Sequence, residues 1–427
     1  MNSSTTTIQN SCDMLSEALA IEGGRPAKAT PYGVGKRFGE AEEKAAVAAI
    51  RSQKLWYLGG KFVFETEALI CKMYDVRHAV LCSSGTAAVH TALAVCGVEA
   101  GDEVIVNPIS DWGSILGILA LGATPVFADV DESTYSLDPA CVESAISAKT
   151  KAILLVHLGG YPARVKEISV IAKKRGLKLV EDCAQSHYAF LDGKALGTYG
   201  DVAAFSTNDS KQISCGEGGF VMTNDPHLAK MARLFTDKGY DRDAIRERGT
   251  QDVAFMAFNY RMSELSAAVL GVQLQSLPEQ IHGRKNYHVL LMQHMGDVSE
   301  YRPLKVQDGG QGSYWSVMGR LDLTQFKVDR KTLVTALRAE GIFVTTGMAP
   351  SRILYSNTVF QKKTLYPVSS RASSHSLASR SYDGVLCPVA ERIVDSSMTF
   401  PCSPFFTGVD ARETAMGIKK VFRYYHR

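Results

Sequence analysis

Residues 151–185 read KAILLVHLGGYPARVKEISVIAKKRGLKLVEDCAQ. Two short runs rich in Ile, Leu and Val, at 151–157 and 177–181, flank a stretch of helical length at 165–175. Both runs are continuously apolar rather than alternating, the pattern of strands covered on both faces. Strand, helix and strand in succession predict parallel strands joined by a right-handed crossover. The alternation continues outward on both sides. Upstream lie β-rich runs at 78–83, 103–107 and 124–130, with helical segments at about 85–97, 112–121 and 138–148. Downstream, DVAAFS at 201–206 and GGFVMT at 218–223 are separated by a loop and no helix. An α/β core built on a mostly parallel seven-stranded sheet is the expectation.

A helix is expected over 263–277, ended by Pro278, because proline removes a backbone donor and clashes with the preceding turn. Beyond it the pattern changes. Strand-like YWSVMGRLDL (314–323), a helix near 329–340 and strand-like IFVTT (342–346) predict a smaller C-terminal α+β domain. The expected division is a tail at 1–25, a large domain at 26–277 and a small domain at 278–427. Residues 367–383, PVSSRASSHSLASRSYD, hold seven serines and no apolar period, and read as a surface insertion in the small domain.

Composition bounds the partners. The 427 residues are 45% hydrophobic, ample material for a large core, which excludes disorder as the main state. Forty-seven Lys+Arg against 44 Asp+Glu leave a formal charge of +3, with no footprint for nucleic acid or an anionic membrane. The most apolar stretch, 113–127, is shorter than the roughly 20 residues a bilayer span needs. The polar start, MNSSTTTIQNSCDMLS, lacks a signal peptide's basic and apolar regions. Nine scattered cysteines without a C-x-x-C pair match neither a disulfide framework nor a zinc site. Free thiols in a reducing cytoplasm, and no metal centre, are therefore expected.

In open α/β sheets, ligands gather at the carboxyl ends of the strands. The first strand ends in Ser83-Ser84-Gly85-Thr86, directly before a helix. A hydroxyl there caps orphan N–H groups, and the same geometry seats a phosphate at a helix N-terminus. Taken alone, the triplet reads as a cap rather than a phosphate seat. The strand at 177–181 ends in Glu181-Asp182-Cys183-Ala184-Gln185, where a carboxylate either caps the next segment or pairs with a protonated ring nitrogen. Lys211 stands five residues after Ser206, between two strands of the sheet. A phosphate seat, a carboxylate for a ring nitrogen and an imine-forming lysine are together the equipment of a pyridoxal-phosphate enzyme.

Several blocks in order carry a resemblance to the DegT/DnrJ/EryC1/StrS aminotransferases, a family of PLP-dependent transferase fold type I. They are SSGTAA (83–88), GDEVIVNP (101–108), GATPVFADVD (122–131), VHLGGYPA (156–163), EDCAQSH (181–187), GDVAAFSTNDSKQISCGEGG (200–219) and FNYRMSELSAAV (258–269). The resemblance implies that Lys211 is the Schiff-base lysine and Asp182 the partner of the pyridine nitrogen. It implies that Gly85, Thr86 and Ser206 bind the phosphate and that Gln185 contacts the cofactor. Trp112 falls where an aromatic ring stacks on the cofactor, although a core tryptophan reads equally well. Asn259 matches an asparagine that reaches the phosphate of the neighbouring subunit, which implies a homodimer with shared sites. His157 and His187 lie in family motifs but read as core histidines. The block ISDWGS departs from the pattern by placing Asp111 beside Trp112.

The implied activity moves an amino group from glutamine or glutamate to a keto-sugar or keto-cyclitol. The opening LAIEGGRPAK (19–28) looks like the aminocyclitol branch. A nucleotide-linked keto-deoxysugar is the alternative acceptor. A PLP-dependent dehydratase of this family carries histidine in place of Lys211, and a non-catalytic relative would have lost the lysine, the carboxylate or the seat.

Overall fold

The computed structural model describes residues 18–242, 252–296, 298–346, 353–365, 380–384 and 386–427. Seven strands form the central sheet: β1 (His78–Cys82), β2 (Glu103–Val106), β3 (Thr124–Phe127), β4 (Thr150–Val156), β5 (Lys178–Asp182), β6 (Val202–Ser206) and β7 (Gly219–Thr223). Their order across the sheet is β1-β7-β6-β5-β4-β2-β3. Each of the seven apolar runs became one of these strands. Only β7 is antiparallel to its neighbours. It follows β6 through a loop with no helix, and a connection without a crossover cannot return the chain in parallel. Because β1, β5 and β6 share a direction, Ser83, Asp182 and Ser206 come to one edge of the sheet.

The helices α1 (Glu40–Arg51), α2 (Phe62–Tyr74), α3 (Gly85–Val95), α4 (Gly113–Ala120), α5 (Pro139–Ala145), α6 (Val165–Arg175) and α7 (Pro226–Thr236) accompany this sheet. The next helix, α8, spans Glu264–Met295 and corrects the expected stop before Pro278. Buried Leu274, Leu277 and Ile281 lie on both sides of the proline and anchor the helix through it. That packing outweighs an interior proline's cost of about 3 kcal/mol. The expected domain limit at 277/278 therefore falls inside one continuous helix.

The C-terminal part holds an antiparallel sheet of β8 (Tyr301–Pro303), β9 (Ser316–Leu321), β10 (Thr345–Thr346) and β11 (Ser397–Pro401), in the order β8-β9-β11-β10. Helices α9 (Arg330–Ala339) and α10 (Gly408–Tyr425) pack with it, and α10 also lies along α8. Most of the serine-rich stretch 367–383, up to residue 379, lies outside the described residues. Its last part lies at the surface, with Ser381 and Asp383 exposed, but is anchored by one residue. Tyr382 is only 2% exposed, and its hydroxyl donates to the Pro125 carbonyl at 2.8 Å. No helix among the described residues is long and apolar enough to cross a membrane. The eight described cysteines are all free thiols.

The described end of the expected N-terminal tail is held by the C-terminal part. From Leu19 onward the segment lies against α9 and α10. The backbone N–H groups of Ala20 and Ala27 donate to the Glu340 carboxylate at 2.8 and 2.7 Å. Lys28 pairs with Asp410 at 2.7 Å, and Lys420 with Glu340 at 3.1 Å, all four side chains being buried. Burial alone would raise the Asp410 carboxyl, but Lys28 and hydrogen bonds from Thr407 and Gly33 hold it below its ordinary range. Lys28→Met strips this buried carboxylate of its counter-charge, so unfolding at neutral pH should become easier by about 3 kcal/mol. A depressed carboxyl contributes stability above its unfolded value and loses it as pH falls through its folded value. Urea titrations should therefore show the gap between Lys28→Met and the parent closing on acidification. An unchanged midpoint at neutral pH would contradict the role assigned to the pair.

Candidate active site

The edge where β1, β5 and β6 end opens into a cavity of about 300 Å³, lined by Gly85, Thr86, Asp182, Gln185, Ser206 and Lys211 together with Asp111 and Ser114. One side is the start of α3. Ser84 caps it, its hydroxyl accepting from the Ala87 N–H at 3.0 Å. Both meanings of the S-G-T turn thus coexist: Ser84 caps, while Gly85 and Thr86 face the cavity. A Cβ on Gly85 would lie 2.5 Å from Cβ of Ser206, so only glycine lets the end of β6 approach the helix start this closely. Thr86 is equally near the start of α4, where a Cβ on Gly113 would meet its hydroxyl at 2.9 Å. Unpaired N–H groups and the helix dipole make this corner a seat for an anion.

Opposite the seat, Asp182 is fully buried at the end of β5. Its carboxylate accepts from the Ser114 hydroxyl at 2.6 Å and from the Ala184 N–H at 3.0 Å. Burial raises its carboxyl above the ordinary value despite those two bonds. A cationic group brought into the cavity would reverse that shift, because opposite charge favours the ionised form. Gln185, also buried, accepts from the Gly159 N–H at 2.7 Å, and its own carbonyl accepts from the Gln212 amide at 2.7 Å.

Lys211 enters on the β6–β7 loop. Burial lowers its ammonium below the ordinary lysine value, and the carboxylates of Asp111 and Asp182 partly oppose this. Its Nζ lies 4.8 Å from the centre of the Trp315 ring. The loop is clamped from outside the sheet. Arg37 donates to the carbonyls of Asp209 and Lys211, and the Trp315 indole donates to the Ser210 carbonyl at 2.8 Å. Gln273 on α8 holds Arg37 through its carbonyl at 3.0 Å. Neither Arg37 nor Trp315 was expected from the sequence, because nothing local to either residue marks it. Only the placement of the C-terminal part against the sheet brings Trp315 beneath the lysine.

Two expected residues lie off the cavity wall. Trp112 sits just before α4, but its ring packs edge-on against Phe360 at 5.7 Å, and its neighbours Asp111 and Gly113 reach the cavity. Asn259 is exposed on a segment bridged to Asp237. It does not cap α8, since Ser263 does so by accepting from the Ser266 N–H at 3.2 Å. The histidines are structural, as expected. His187 donates to the Ser206 carbonyl at 2.7 Å and is pushed down to about 4 by burial, so it is neutral. His157 bonds Glu181 at 3.1 Å and accepts from the Ala163 N–H at 3.1 Å. Glu181 also accepts backbone N–H groups from Gly197, Tyr199 and Gly200, so this buried cluster is saturated without a metal.

A buried amine, a buried carboxylate and an anion seat in one cavity is the arrangement expected of an aminotransferase. The model of the DegT/DnrJ/EryC1/StrS aminotransferase family matches residues 38–412. The chain belongs to that family. Among similar proteins, L-glutamine:2-deoxy-scyllo-inosose aminotransferase of Micromonospora echinospora is 30% identical over 419 residues, 95% of this chain and 97% of its own. The protein of the same name from Streptomyces kanamyceticus is 35% identical over 338 residues, 76% of this chain and 79% of its own. Of solved structures, 3-amino-5-hydroxybenzoic acid synthase superposes with a TM-score of 0.81 at 28% identity, covering 93% of this aminotransferase and 100% of the synthase.

Proposed function

We propose that this aminotransferase uses pyridoxal 5′-phosphate to move the amino group of glutamine or glutamate onto a keto-cyclitol, in aminocyclitol biosynthesis of the antibiotic type. The observation that carries the reading is the single cavity holding Lys211, Asp182 and the α3 seat together. The residues fit the cofactor. Gly85, Thr86 and Ser206 would hold its phosphate, Asp182 would face the ring nitrogen and Gln185 would bear on the ring. When bound, the cofactor supplies an electron-accepting ring. Asp182, already desolvated, keeps the ring nitrogen protonated by offsetting its charge. Lys211 takes a proton from the donor's Cα and delivers one to the carbon that gains nitrogen. Burial favours its neutral amine, the form that can accept a proton. The keto-cyclitol acceptor is supported by the 2-deoxy-scyllo-inosose relatives, one of which aligns over nearly the whole chain. The free thiols agree with a cytoplasmic setting.

The test supplies the cofactor-loaded protein with L-glutamine and either 2-deoxy-scyllo-inosose or a nucleotide-linked keto-deoxysugar, with products followed by mass spectrometry. Amination of the cyclitol is expected. Amination of the nucleotide sugar alone would replace this acceptor with the alternative.

The working unit in this proposal is a homodimer in which Asn259 serves the partner's phosphate seat. Its exposure, away from the cavity of its own chain, supports this, as does an apolar surface nearby that includes Met256, 80% exposed. Lys211→Ala and Asn259→Asp should each be inactive, the second because it sets a negative charge against the phosphate. Mixed dimers then carry both lesions in one site and neither in the other, so subunit exchange should restore activity. Proven exchange without recovery would refute sharing through Asn259.

A further inference from the structure

A second cavity, of about 520 Å³, adjoins the first: Gln185 and Ser210 line both. Trp315 forms a wall of the second cavity, and its ring lies beside Lys211 Nζ. Most of the remaining wall is apolar, from Leu158, Met318 and Phe343, but the polar side chains of Arg284, Ser316, Thr345 and Thr399 also line it. Three of these four have a buried atom without a partner: Nε of Arg284, the hydroxyl of Ser316 and the hydroxyl of Thr399. Buried polar atoms are normally satisfied, so three orphans around one cavity call for polar atoms, of water or of a ligand, within it.

Arg284 decides the chemistry. It lies on α8, is 8% exposed and, among the described residues, pairs with no carboxylate. One terminal nitrogen donates to the Cys402 carbonyl and, at 3.5 Å, to those of Tyr314 and Trp315, which fixes the guanidinium in place without neutralising it. Burial without a counter-charge lowers its proton affinity below that of an ordinary arginine. A guanidinium only donates, and hydroxyls can donate, so the three orphans together offer donors to an acceptor-rich anion. A neutral polyol would leave the buried cation uncompensated. We infer that Arg284, Ser316 and Thr399 form the subsite that takes the carboxylate of the amino-acid donor. The apolar wall covers the donor's carbon chain, and the side shared with the first cavity, at Gln185 and Ser210, sets its amino group toward Lys211. This subsite rests on the aminotransferase reading above.

Calorimetry on the cofactor-loaded protein tests it with two probes that cannot transaminate. Glutaramate is glutamine without its amino group and keeps the carboxylate; glutaramide replaces that carboxylate with an uncharged amide. Glutaramate should bind and glutaramide should bind far more weakly. Arg284→Gln should weaken glutaramate about tenfold to a hundredfold, the worth of a charge-assisted hydrogen bond in a buried site. The double variant Ser316→Ala/Thr399→Val should weaken it severalfold. Both should raise KM for the donor and leave KM for the acceptor unchanged. Circular dichroism monitors the fold, and if Arg284→Gln does not fold, the double variant decides.

Inorganic phosphate and myo-inositol serve as competing probes. Equal binding of glutaramate and glutaramide would overturn the inference, as would glutaramate affinity unchanged in the folded variants. Loss of phosphate or inositol affinity in place of glutaramate would overturn it too. The measurement needs no turnover. A protein that binds glutaramate as described but aminates no keto substrate would sink the proposed function and leave the carboxylate subsite standing.

Discussion

Lys211→Ala should abolish amino transfer, with turnover down by about 10⁴-fold or more, equivalent to about 5 kcal/mol of barrier. In the structure, Lys211 is the amine that lines the cavity, held on a loop clamped by Arg37 and Trp315. In the proposed function, removing it takes away the covalent attachment and the proton carrier together. The fold should not suffer, since a desolvated amine without a hydrogen-bonded carboxylate is a cost to the native state. Thermal unfolding of the variant should therefore match or exceed that of the parent. The variant should still retain cofactor through the α3 seat. Borohydride reduction of the parent followed by peptide mapping should place the pyridoxyl group on Lys211, and a label on any other lysine would sink the assignment.

The second large effect is expected at Asp182→Asn. The side chains are nearly isosteric, and Ser114 can reorient its hydroxyl toward an amide, so packing should survive. The amide cannot offset a cationic ring nitrogen. A shift of about three pKa units in that nitrogen corresponds to about 4 kcal/mol, or roughly 10³-fold in rate. The sign with pH follows. Without Asp182 the nitrogen's proton affinity falls, so its protonated form returns only at lower pH. Residual activity of the variant should gain on acidification relative to the parent. Near-normal turnover at neutral pH, with the fold verified by circular dichroism, would remove Asp182 from this role.

The sheet was legible because its strands are buried on both faces. Runs such as AILLV at 152–156 have no alternation to confuse them with a surface strand, and helices of ordinary length separate the parallel ones. The residues at the strand ends were legible for the same reason: once the strands are placed, Asp182, Ser206 and the turn before α3 share an edge by topology alone. Pro278 misled because a local rule was applied where tertiary packing prevails. Buried leucines on either side hold α8 together. Trp315 and Arg284 were not legible. Each sits in an unremarkable run and gains its meaning from elements more than a hundred residues away in sequence, the lysine loop in one case and the end of β11 in the other. The same holds for Arg37, whose clamp on the lysine loop spans 174 positions.

The clasp between Lys28 and Asp410 sets a timetable for synthesis. The two residues are 382 positions apart. At about 5–20 residues per second, Lys28 leaves the ribosome roughly 20–80 s before its counter-charge is made. Throughout that interval Leu19, Ala27 and the lysine have no final home, although the strands of the central sheet are emerging in between. The α/β core can assemble while translation continues, but the segment at 19–33 can dock only after α10 arrives. Arrival of α10, not completion of the sheet, is thus the event that closes this part of the molecule. Polypeptides interrupted before Asp410 would hold every strand of both sheets yet leave the early segment undocked.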